Sequence, residues 1–368
     1  MRQSSPYLLN LNRAESNALK GIALLLLLWH HLFFISNGMF DDIRLYKSIY
    51  LINTSALACK ICVALFVFLS GYGLAASYEK SDKIPLVQFY VHRFIKLFSN
   101  YWLIWLLFVP IGIFCFGLSL DEIYGDHIYS KLGLEFLGMS YICGYYGINP
   151  TWWFYSCIIV LYMLFPCLIY ICRRNLISAS ILLLCSCLLV YFPIPFLRFI
   201  NNYILPFVLG ILCRNILSTN ILSSIINRLK TNRSQCLWLI LLIIFLLLFT
   251  AYNCLMSKLQ NIGVTHSILI ISLILTYKIM PKTNKIQKSL EHLGHHSFNI
   301  FLFHTFFQIY FLQLVYWTRN PLLIYCTFLA VCMITSIGIE KLKKLSGFEK
   351  KTAYLESLII LNPKKAIA

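Results

Sequence analysis

The sequence has few charged residues, and acidic residues are the scarcest of them. Charged side chains make up 12% of its 368 residues, and 13 aspartates and glutamates stand against 31 lysines and arginines. A soluble domain carries about 25% charged residues. The composition therefore argues against a soluble enzyme and, despite a formal net charge of +18, against a soluble nucleic-acid-binding protein.

Strand-type alternation and internal repeats are also absent from the sequence. Because apolar and polar residues do not alternate, the pattern does not favour an outer-membrane barrel. The lack of a repeat argues against a transporter built from inverted halves. No change in composition marks a second domain, so we expect a single membrane domain over residues 1–368.

Long apolar runs dominate the sequence, since 60% of its residues are hydrophobic. Several windows reach roughly 18 apolar residues, the length that a helix needs to cross the hydrocarbon of a bilayer. These windows predict an all-α, polytopic membrane protein whose spans cover approximately 19–340. The ten predicted spans are 19–36, 57–78, 96–118, 152–172, 176–193, 199–216, 235–253, 262–280, 297–317 and 321–339.

The distribution of lysine and arginine predicts the orientation of these spans. If the N-terminus is cytoplasmic, most basic residues fall on the cytoplasmic side, as in most membrane proteins. Ten spans return the C-terminus to the same side, where 341–368 forms a basic tail. We therefore expect a multi-pass protein of the inner, cytoplasmic membrane, whose charge is attracted to the lipid surface, with no nucleic-acid partner.

Two histidines lie inside the first apolar run, "LKGIALLLLLWHHLFF". Lys20 and His31 are eleven residues apart, so on a helix they share a face and are separated by roughly 16 Å. An ionisable group at the depth of His31 is a functional candidate by default. The alternative is a buried histidine that hydrogen-bonds a neighbouring helix, and this is the interpretation that we favour for His30.

Small residues mark the second segment, "LFVFLSGYGLAASY". Ser70, Gly71 and Gly73 allow another helix to approach closely, so packing is the default explanation. A role for Ser70 in accommodating a ligand is the alternative.

The third segment, "FYVHRFIKLFSNYW", places Arg93 and Lys96 three residues apart at the entrance of a span. Basic and aromatic residues gather at the membrane interface in any case. The more specific alternative to membrane anchoring is an anion-binding site. Paired cations suit phosphate groups, and arginine offers bidentate hydrogen bonds.

Two further segments supply aromatic and histidine side chains. Trp153 and Tyr162 belong to "NPTWWFYSCIIVLYMLFP", and Ser297 and His304, seven apart, share a helical face in "LEHLGHHSFNIFLFHTFF". Three more histidines precede the predicted span of this segment, and we expect them to lie at the membrane interface: His292, His295 and His296. No Cys, Asp or Glu cluster accompanies the histidines at ligand spacing, so we expect no metal.

These five segments, in this order, resemble acyltransferase family 3, the integral-membrane O-acyltransferases of bacterial surface glycans. The family's basic residue, "GIA", apolar run and histidine correspond to Lys20, Gly21 and His31. Its "FFVLSGF" appears as "LFVFLSGY", and its "FYLRRFLRIYPAYW" as "FYVHRFIKLFSNYW". Its Trp-Phe-Leu segment, which ends in Tyr-x-Leu-Phe-Pro, appears as Trp153-Phe154-Tyr155 and Tyr162-Met163-Leu164-Phe165-Pro166, and its "LGxxSYxxYLxH" as Leu293-Gly294, Ser297-Phe298, Phe301 and His304.

The resemblance implies an O-acetyltransferase that uses a cytosolic acyl-CoA, most often acetyl-CoA, as donor. The acceptor would be a hydroxyl of a cell-surface polysaccharide or its lipid-linked precursor, and an association with polysaccharide biosynthesis machinery follows. His31 would be the catalytic base, with Ser70 as the carrier if an acyl-enzyme forms. Lys20, Arg93 and Lys96 would bind the donor, and the remaining candidates would bind substrate: Trp153, Tyr162, Ser297 and His304.

The sequence departs from the family pattern in two ways. The family's Arg-x-x-Arg is Arg93-x-x-Lys96, which keeps the charge and loses the fork geometry at the second position. No acidic residue lies in the core of a predicted span. A carboxylate that orients His31 would therefore come from a loop, with Glu135, Asp121 and Glu122 as the candidates.

Two other classes of function remain open at this point. A transporter or flippase of a glycan or its precursor would also have many spans and an intramembrane histidine, but would have no reason to bind acyl-CoA. A structural subunit of an envelope assembly would have no chemistry of its own.

Overall fold

The computed structural model describes residues 11–35, 38–46, 49–79, 85–192, 198–215, 262–279 and 283–361. Its helices, in chain order, are α1 (Arg13–Phe33), α2 (Leu51–Ala58), α3 (Ile61–Glu79), α4 (Leu86–Phe116), α5 (Leu120–Tyr124), α6 (Ile128–Phe136), α7 (Trp153–Arg174), α8 (Leu176–Tyr191), α9 (Arg198–Asn215), α10 (Ile262–Ile279), α11 (Asn284–Tyr310), α12 (Leu312–Val315), α13 (Pro321–Leu345) and α14 (Phe348–Leu361). Two short antiparallel strands, β1 (Arg44–Tyr46) and β2 (Ile49–Tyr50), follow α1, and a 3-10 turn at Pro150–Trp152 leads into α7.

The all-α class is confirmed, and several helices are long and apolar enough to cross a membrane. By length and composition, five stretches of the described residues qualify: Arg13–Phe33, Leu51–Glu79, Leu86–Phe116, Pro150–Arg174 and Pro321–Leu345. Shorter apolar helices cover Leu176–Tyr191, Ile200–Arg214 and Gly263–Lys278. The predicted span 235–253 lies outside the described residues, so the number of ten spans and the cytoplasmic termini stay predictions.

The chain divides into two compact units. The first contains Met1–Lys80 and Leu164–His295, and the second contains Ser81–Met163 and His296–Ala368. Helices α7 and α11 contribute residues to both. Each unit is described by itself below.

Local sequence signals explain where the principal helices begin and end. Asn12 caps α1, because its side chain accepts a hydrogen bond from the Glu15 amide at 2.8 Å while Glu15 Oε2 accepts one from the Asn12 amide at 2.9 Å. This capping box satisfies two donors that a helix start leaves unpaired. Gly117 ends α4 at a φ of 66°, a left-handed conformation that glycine adopts without strain.

The core of the first unit is formed by α1, α3, α9 and α10. Its buried side chains are almost all apolar and include Leu19, Ala23, Ala64, Leu65, Phe68, Leu269, Ile270 and Ile274. Two charged contacts lie at the edge of this core. Lys278 Nζ lies 2.6 Å from Glu15 Oε2, and Arg214 Nη2 lies 2.5 Å from Glu79 Oε2.

Helices α3 and α9 touch backbone to backbone through two glycines. A Cβ placed on Gly71 would overlap the carbonyl oxygen of Phe207, and one placed on Gly210 would overlap the carbonyl oxygen of Phe68. Small residues permit such close approach between membrane helices. The packing role predicted for this segment is therefore confirmed at Gly71. It is not seen at Gly73, because no described atom lies within 4 Å of where its Cβ would be.

Replacing Gly71 with alanine should destabilise the protein, because the new methyl group meets backbone that cannot rotate away. We expect a loss of about 1–3 kcal/mol, the usual cost of overpacking. Gly73→Ala is the matched control in the same helix and should be neutral or slightly stabilising, since alanine favours a helix over glycine. Thermal unfolding in detergent or lipid discs measures both variants, and equal stability of the two would contradict the crossing.

Glycines also bring α1 against α11 in the first unit. A Cβ on Gly21 would overlap the carbonyl oxygen of Leu290, and one on Gly294 would overlap the carbonyl oxygen of Asn17. Gly21 belongs to the first of the five sequence motifs and Gly294 to the fifth. The crossing fixes the turn of α1 that carries Lys20.

The second unit is held together by aromatic side chains. Phe108 of α4 stacks on Phe303 and Phe306 of α11 at centroid distances of 5.4 and 5.3 Å. Tyr101 of α4 lies 4.9 Å from the ring of Trp152, which precedes α7. These contacts set α4 beside both α7 and the later part of α11.

Candidate functional site

The two adjacent histidines of α1 have different surroundings. His30 is 8% exposed, its Nδ1 lies 2.7 Å from the carbonyl oxygen of Ala56 in α2, and its ring stacks on Phe34 with centroids 5.0 Å apart. His31 is half-buried, and its ring meets that of His30 edge to face at 5.2 Å. The geometry thus supports a packing role for His30 and leaves His31 as the partly accessible imidazole.

Helix α2 anchors the end of α1 that carries these histidines. Trp29 Nε1 donates a hydrogen bond to Ser55 Oγ at 2.9 Å. Asn53 Nδ2 donates to the carbonyl oxygens of Phe33 and Phe34, at 3.1 and 2.9 Å, which are among the carbonyls that a helix end leaves unpaired. Together with the His30 contact, these bonds fix the rotation of α1 and so the direction of His31.

Lys20 and Ser70 lie in the same unit as His31. Lys20 is half-buried, one residue before the glycine crossing of α1 and α11. Ser70 is half-buried on α3, one residue before the Gly71 contact with α9. Both residues therefore lie next to close backbone contacts between helices, which hold the Cα atoms of Lys20 and Ser70 in fixed positions.

Arg93 and Lys96, in α4 of the second unit, differ in exposure. Arg93 is half-buried, with its guanidinium 5.9 Å from the centre of the Phe89 ring, and it interacts electrostatically with Tyr162 of α7. Lys96 is exposed one turn later. Arg93 and Tyr162, two of the predicted site residues, thus belong to the same unit.

Trp153 and Tyr162 are carried on the part of α7 that packs beside α4. Trp153 is half-buried, with its ring 6.1 Å from that of Tyr141. Tyr162 is half-buried, and the next carbonyl, that of Met163, accepts a hydrogen bond from the Tyr90 hydroxyl at 2.7 Å. This bond holds α7 against α4 beside the Arg93 contact.

Ser297 and His304 of α11 are both buried, and His304 is fully enclosed. His304 Nδ1 lies 3.0 Å from the carbonyl oxygens of Ile300 and Phe301, and its Nε2 lies 3.3 Å from Thr305 Oγ1. A ring nitrogen that faces carbonyl oxygens must carry the hydrogen, so Nδ1 donates and Nε2 accepts in the neutral ring. The predicted substrate-binding histidine is thus held in a single tautomer by its own helix.

The start of α7 is tied to the same part of α11 by buried hydrogen bonds. Asn149 Nδ2 and Trp152 Nε1 both donate to the carbonyl oxygen of Leu302, at 3.2 and 2.9 Å. Thr151 Oγ1 donates to Asn149 Oδ1 at 2.7 Å and lies 3.1 Å from Thr305 Oγ1. The "NPTWW" motif therefore connects through Thr305 to His304.

A buried carboxylate, Glu135, organises the segment between α4 and α7. Its side chain is 0% exposed, receives a hydrogen bond from the Tyr124 hydroxyl, and accepts from the Ile148 amide at 3.1 and 3.2 Å. Its backbone carbonyl accepts from the Tyr101 hydroxyl at 2.6 Å. Of the three acids proposed to orient His31, Glu135 is thus engaged within its own unit, while Asp121 and Glu122 are exposed.

Burial raises the pKa of Glu135 to about 7, against the hydrogen bonds that lower it. A carboxyl whose pKa is higher in the folded than in the unfolded chain stabilises the fold fully below the unfolded pKa, near 4.5. That contribution, roughly 3 kcal/mol, is lost as the pH rises through 7. We expect the free energy of unfolding to fall between pH 5 and about 7, and Glu135→Gln to remove this dependence, as measured by thermal unfolding against pH. A dependence that persists in the variant would assign the titration to another group.

A second buried polar cluster, at the junction of α11 and α13, was not found by sequence reasoning. His296 Nδ1 lies 2.8 Å from Ser336 Oγ, Asn299 Nδ2 donates to Glu340 Oε1 at 2.6 Å, and Lys343 Nζ lies 2.7 Å from the same oxygen. His296 is 4% exposed, so its side chain is buried in the protein, and its predicted position at the membrane interface stays a prediction. The spacing of Glu340 and Lys343 was visible in the sequence, but their partners on α11 were not.

The four clustered histidines of α11 have different surroundings. His292 and His295 are exposed, whereas His296 and His304 are buried with the partners given above. Among the described residues, no three His, Cys, Asp or Glu side chains group closely enough to hold a metal ion.

Comparison with known proteins gives one match. A family model described as an acyltransferase domain matches residues 13–341, a range that contains all five motifs. No curated protein and no solved structure matches significantly.

Proposed function

This chain belongs to acyltransferase family 3, whose model covers nearly all of it, and from that premise we propose that it is an O-acetyltransferase. The donor is cytosolic acetyl-CoA or a related acyl-CoA. The acceptor is a hydroxyl of a cell-surface polysaccharide or of its lipid-linked precursor, and the protein works in the inner membrane. The family itself supports an acyltransferase, and the apolar helices support a membrane location.

The observation that carries the proposal is the difference between the paired histidines. His30 is buried against Ala56, whereas His31 is partly accessible on a helix end anchored by α2. A neutral imidazole can accept a proton near pH 7. His31 then takes the proton of the acceptor hydroxyl while the hydroxyl oxygen attacks the carbonyl carbon of the thioester.

The remaining steps balance without any further reactant. The new C–O bond forms, the C–S bond breaks, and the thiolate of CoA takes the proton from the His31 imidazolium. The products are the acyl ester and free CoA, and no metal is required. If the acyl group instead passes through an enzyme ester, Ser70 is the hydroxyl that carries it.

Charged and aromatic residues supply the binding interactions in this proposal. Arg93 and Lys96 hold phosphates of the donor, with arginine offering two parallel hydrogen bonds. Lys20 adds positive charge near the donor. The proposed substrate-binding side chains are Trp153, Tyr162, Ser297 and His304.

The test is transfer of labelled acetyl from acetyl-CoA to surface glycan by the purified protein in lipid discs. The glycan is isolated from a strain in which the gene has been deleted, so that its acceptor hydroxyls are free. Ester-linked label in the glycan, released by mild base, is the expected result. Glycan that carries no label, with acetyl-CoA neither bound nor consumed, would refute the proposal.

A further inference from the structure

The hydroxyl of Tyr155 is buried and unpaired. Tyr155 is 1% exposed, and its hydroxyl oxygen has no hydrogen-bond partner among the described residues. Burying a hydroxyl without a partner costs free energy, so native proteins rarely leave one in this state. A group of this kind calls for an explanation, and a ligand that completes the hydrogen bond is one.

The ring of Tyr155 is held rigidly. It stacks on Tyr101 with centroids 4.1 Å apart and planes 14° apart, and Phe98 meets it edge to face at 5.8 Å. Gly138, at a φ of 70°, lies so close that a Cβ there would overlap the edge of the ring. The hydroxyl is therefore fixed in place before any ligand arrives, which lowers the entropy cost of binding.

The two stacked tyrosines differ in one respect. The Tyr101 hydroxyl donates to the carbonyl oxygen of Glu135 at 2.6 Å, whereas the Tyr155 hydroxyl has no such acceptor. The Tyr155 hydroxyl therefore makes no hydrogen bond that holds the described fold together.

Tyr155 and the proposed phosphate-binding residue, Arg93, lie along the same contact between α4 and α7. Tyr155 and Tyr162 are seven residues apart on α7, two helical turns or roughly 10 Å along the axis. Two contacts join α4 to this part of α7: the Tyr90 hydroxyl donates to the Met163 carbonyl at 2.7 Å, and the Phe98 ring meets that of Tyr155. Arg93 lies between Tyr90 and Phe98 on α4. The hydroxyl, the phenol and the guanidinium follow one another along the α4–α7 contact of the second unit.

We propose that the Tyr155 hydroxyl donates a hydrogen bond to a carbonyl of the donor's pantetheine arm when the phosphates lie at Arg93. The inference rests on the proposed function, since it takes an acyl-CoA as the ligand. The arm leaves the phosphates and carries amide carbonyls before it reaches the thioester. Those carbonyls accept hydrogen bonds, and the arm is long enough to extend along α7 from the phosphates to Tyr155.

Tyr155→Phe removes only the hydroxyl and keeps the ring. The dissociation constant of acetyl-CoA should rise about 3- to 10-fold, the usual effect of one neutral hydrogen bond. The dissociation constant of the adenosine phosphate portion of CoA, which lacks the arm, should not change. The melting temperature without ligand should stay the same or rise, because an unpaired buried hydroxyl has been removed.

Tyr101→Phe is the matched control, since it removes a hydroxyl that is already paired. It should lower the melting temperature. It should not weaken the binding of acetyl-CoA more than it weakens the binding of the adenosine phosphate fragment. If Tyr155→Phe leaves acetyl-CoA binding unchanged, or weakens both ligands equally, the hydroxyl does not bind the arm and the inference fails. If the wild-type protein does not bind acetyl-CoA at all, the proposed function fails instead.

Discussion

Replacing His31 with alanine should reduce kcat for acetyl transfer by about 10²–10⁴-fold, the usual contribution of a general base. The protein should remain folded, because His31 is only half-buried and the bonds from Trp29 and Asn53 that anchor this helix end do not involve its ring. Binding of acetyl-CoA should be retained, since the proton acceptor acts in the transition state. Labelled acetyl transfer at saturating donor, with donor affinity measured separately, gives both quantities.

His30→Ala is the control for the first prediction, because it alters the neighbouring imidazole. It removes the contact with the Ala56 carbonyl and leaves that oxygen unpaired in a buried place, so we expect a loss of stability of about 1–3 kcal/mol. Activity per folded molecule should be close to that of the wild type. The role of His31 as base is refuted if folded His31→Ala protein transfers acetyl at the wild-type rate, or if the two variants lose activity equally.

Arg93→Gln should raise KM for acetyl-CoA by about 10- to 100-fold, because hydrogen bonds to charged groups contribute about 1.5–3 kcal/mol. The effect on kcat should be small, since the phosphates are bound equally in the ground state and in the transition state. Lys96→Gln should raise KM for acetyl-CoA less, because Lys96 is exposed. An exposed ammonium interacts more weakly with a phosphate, so its replacement costs less binding free energy. Initial rates over a range of donor concentrations provide the comparison.

Arg174→Gln separates a specific phosphate contact from a general loss of positive charge. Arg174 is exposed at the end of α7, so its removal changes the net charge by the same amount as Arg93→Gln. KM for acetyl-CoA should stay near the wild-type value in this control. An unchanged donor KM in Arg93→Gln, or an equal rise in both variants, would remove Arg93 from the donor site.

The sequence predicted the helices well where a long apolar run defines them, but several helices extend beyond the predicted spans. The predicted spans begin at 19, 96 and 297, whereas the corresponding helices begin at Arg13, Leu86 and Asn284. Hydropathy records where the apolar residues are, and a helix continues through charged residues as long as its backbone hydrogen bonds are made. The first turns of these helices therefore lie outside the predicted spans.

Contacts between distant segments could not be predicted from one sequence. Gly71 was recognised as a packing residue, but nothing identified Phe207 as the backbone that it meets. The same limit applies to Glu135, whose burial depends on Tyr124 and Ile148, and to Tyr155, which reads as one more aromatic residue near a predicted membrane boundary. Motif spacing identifies residue types along one helix, while burial and hydrogen bonding depend on which helices become neighbours.

The two glycine crossings have a consequence for how the protein is made. Each joins a helix synthesised early, α1 or α3, to one translated much later, α11 or α9. Until the later helix emerges from the ribosome, the exposed glycine face of the earlier helix must be covered by lipid or by an insertion factor.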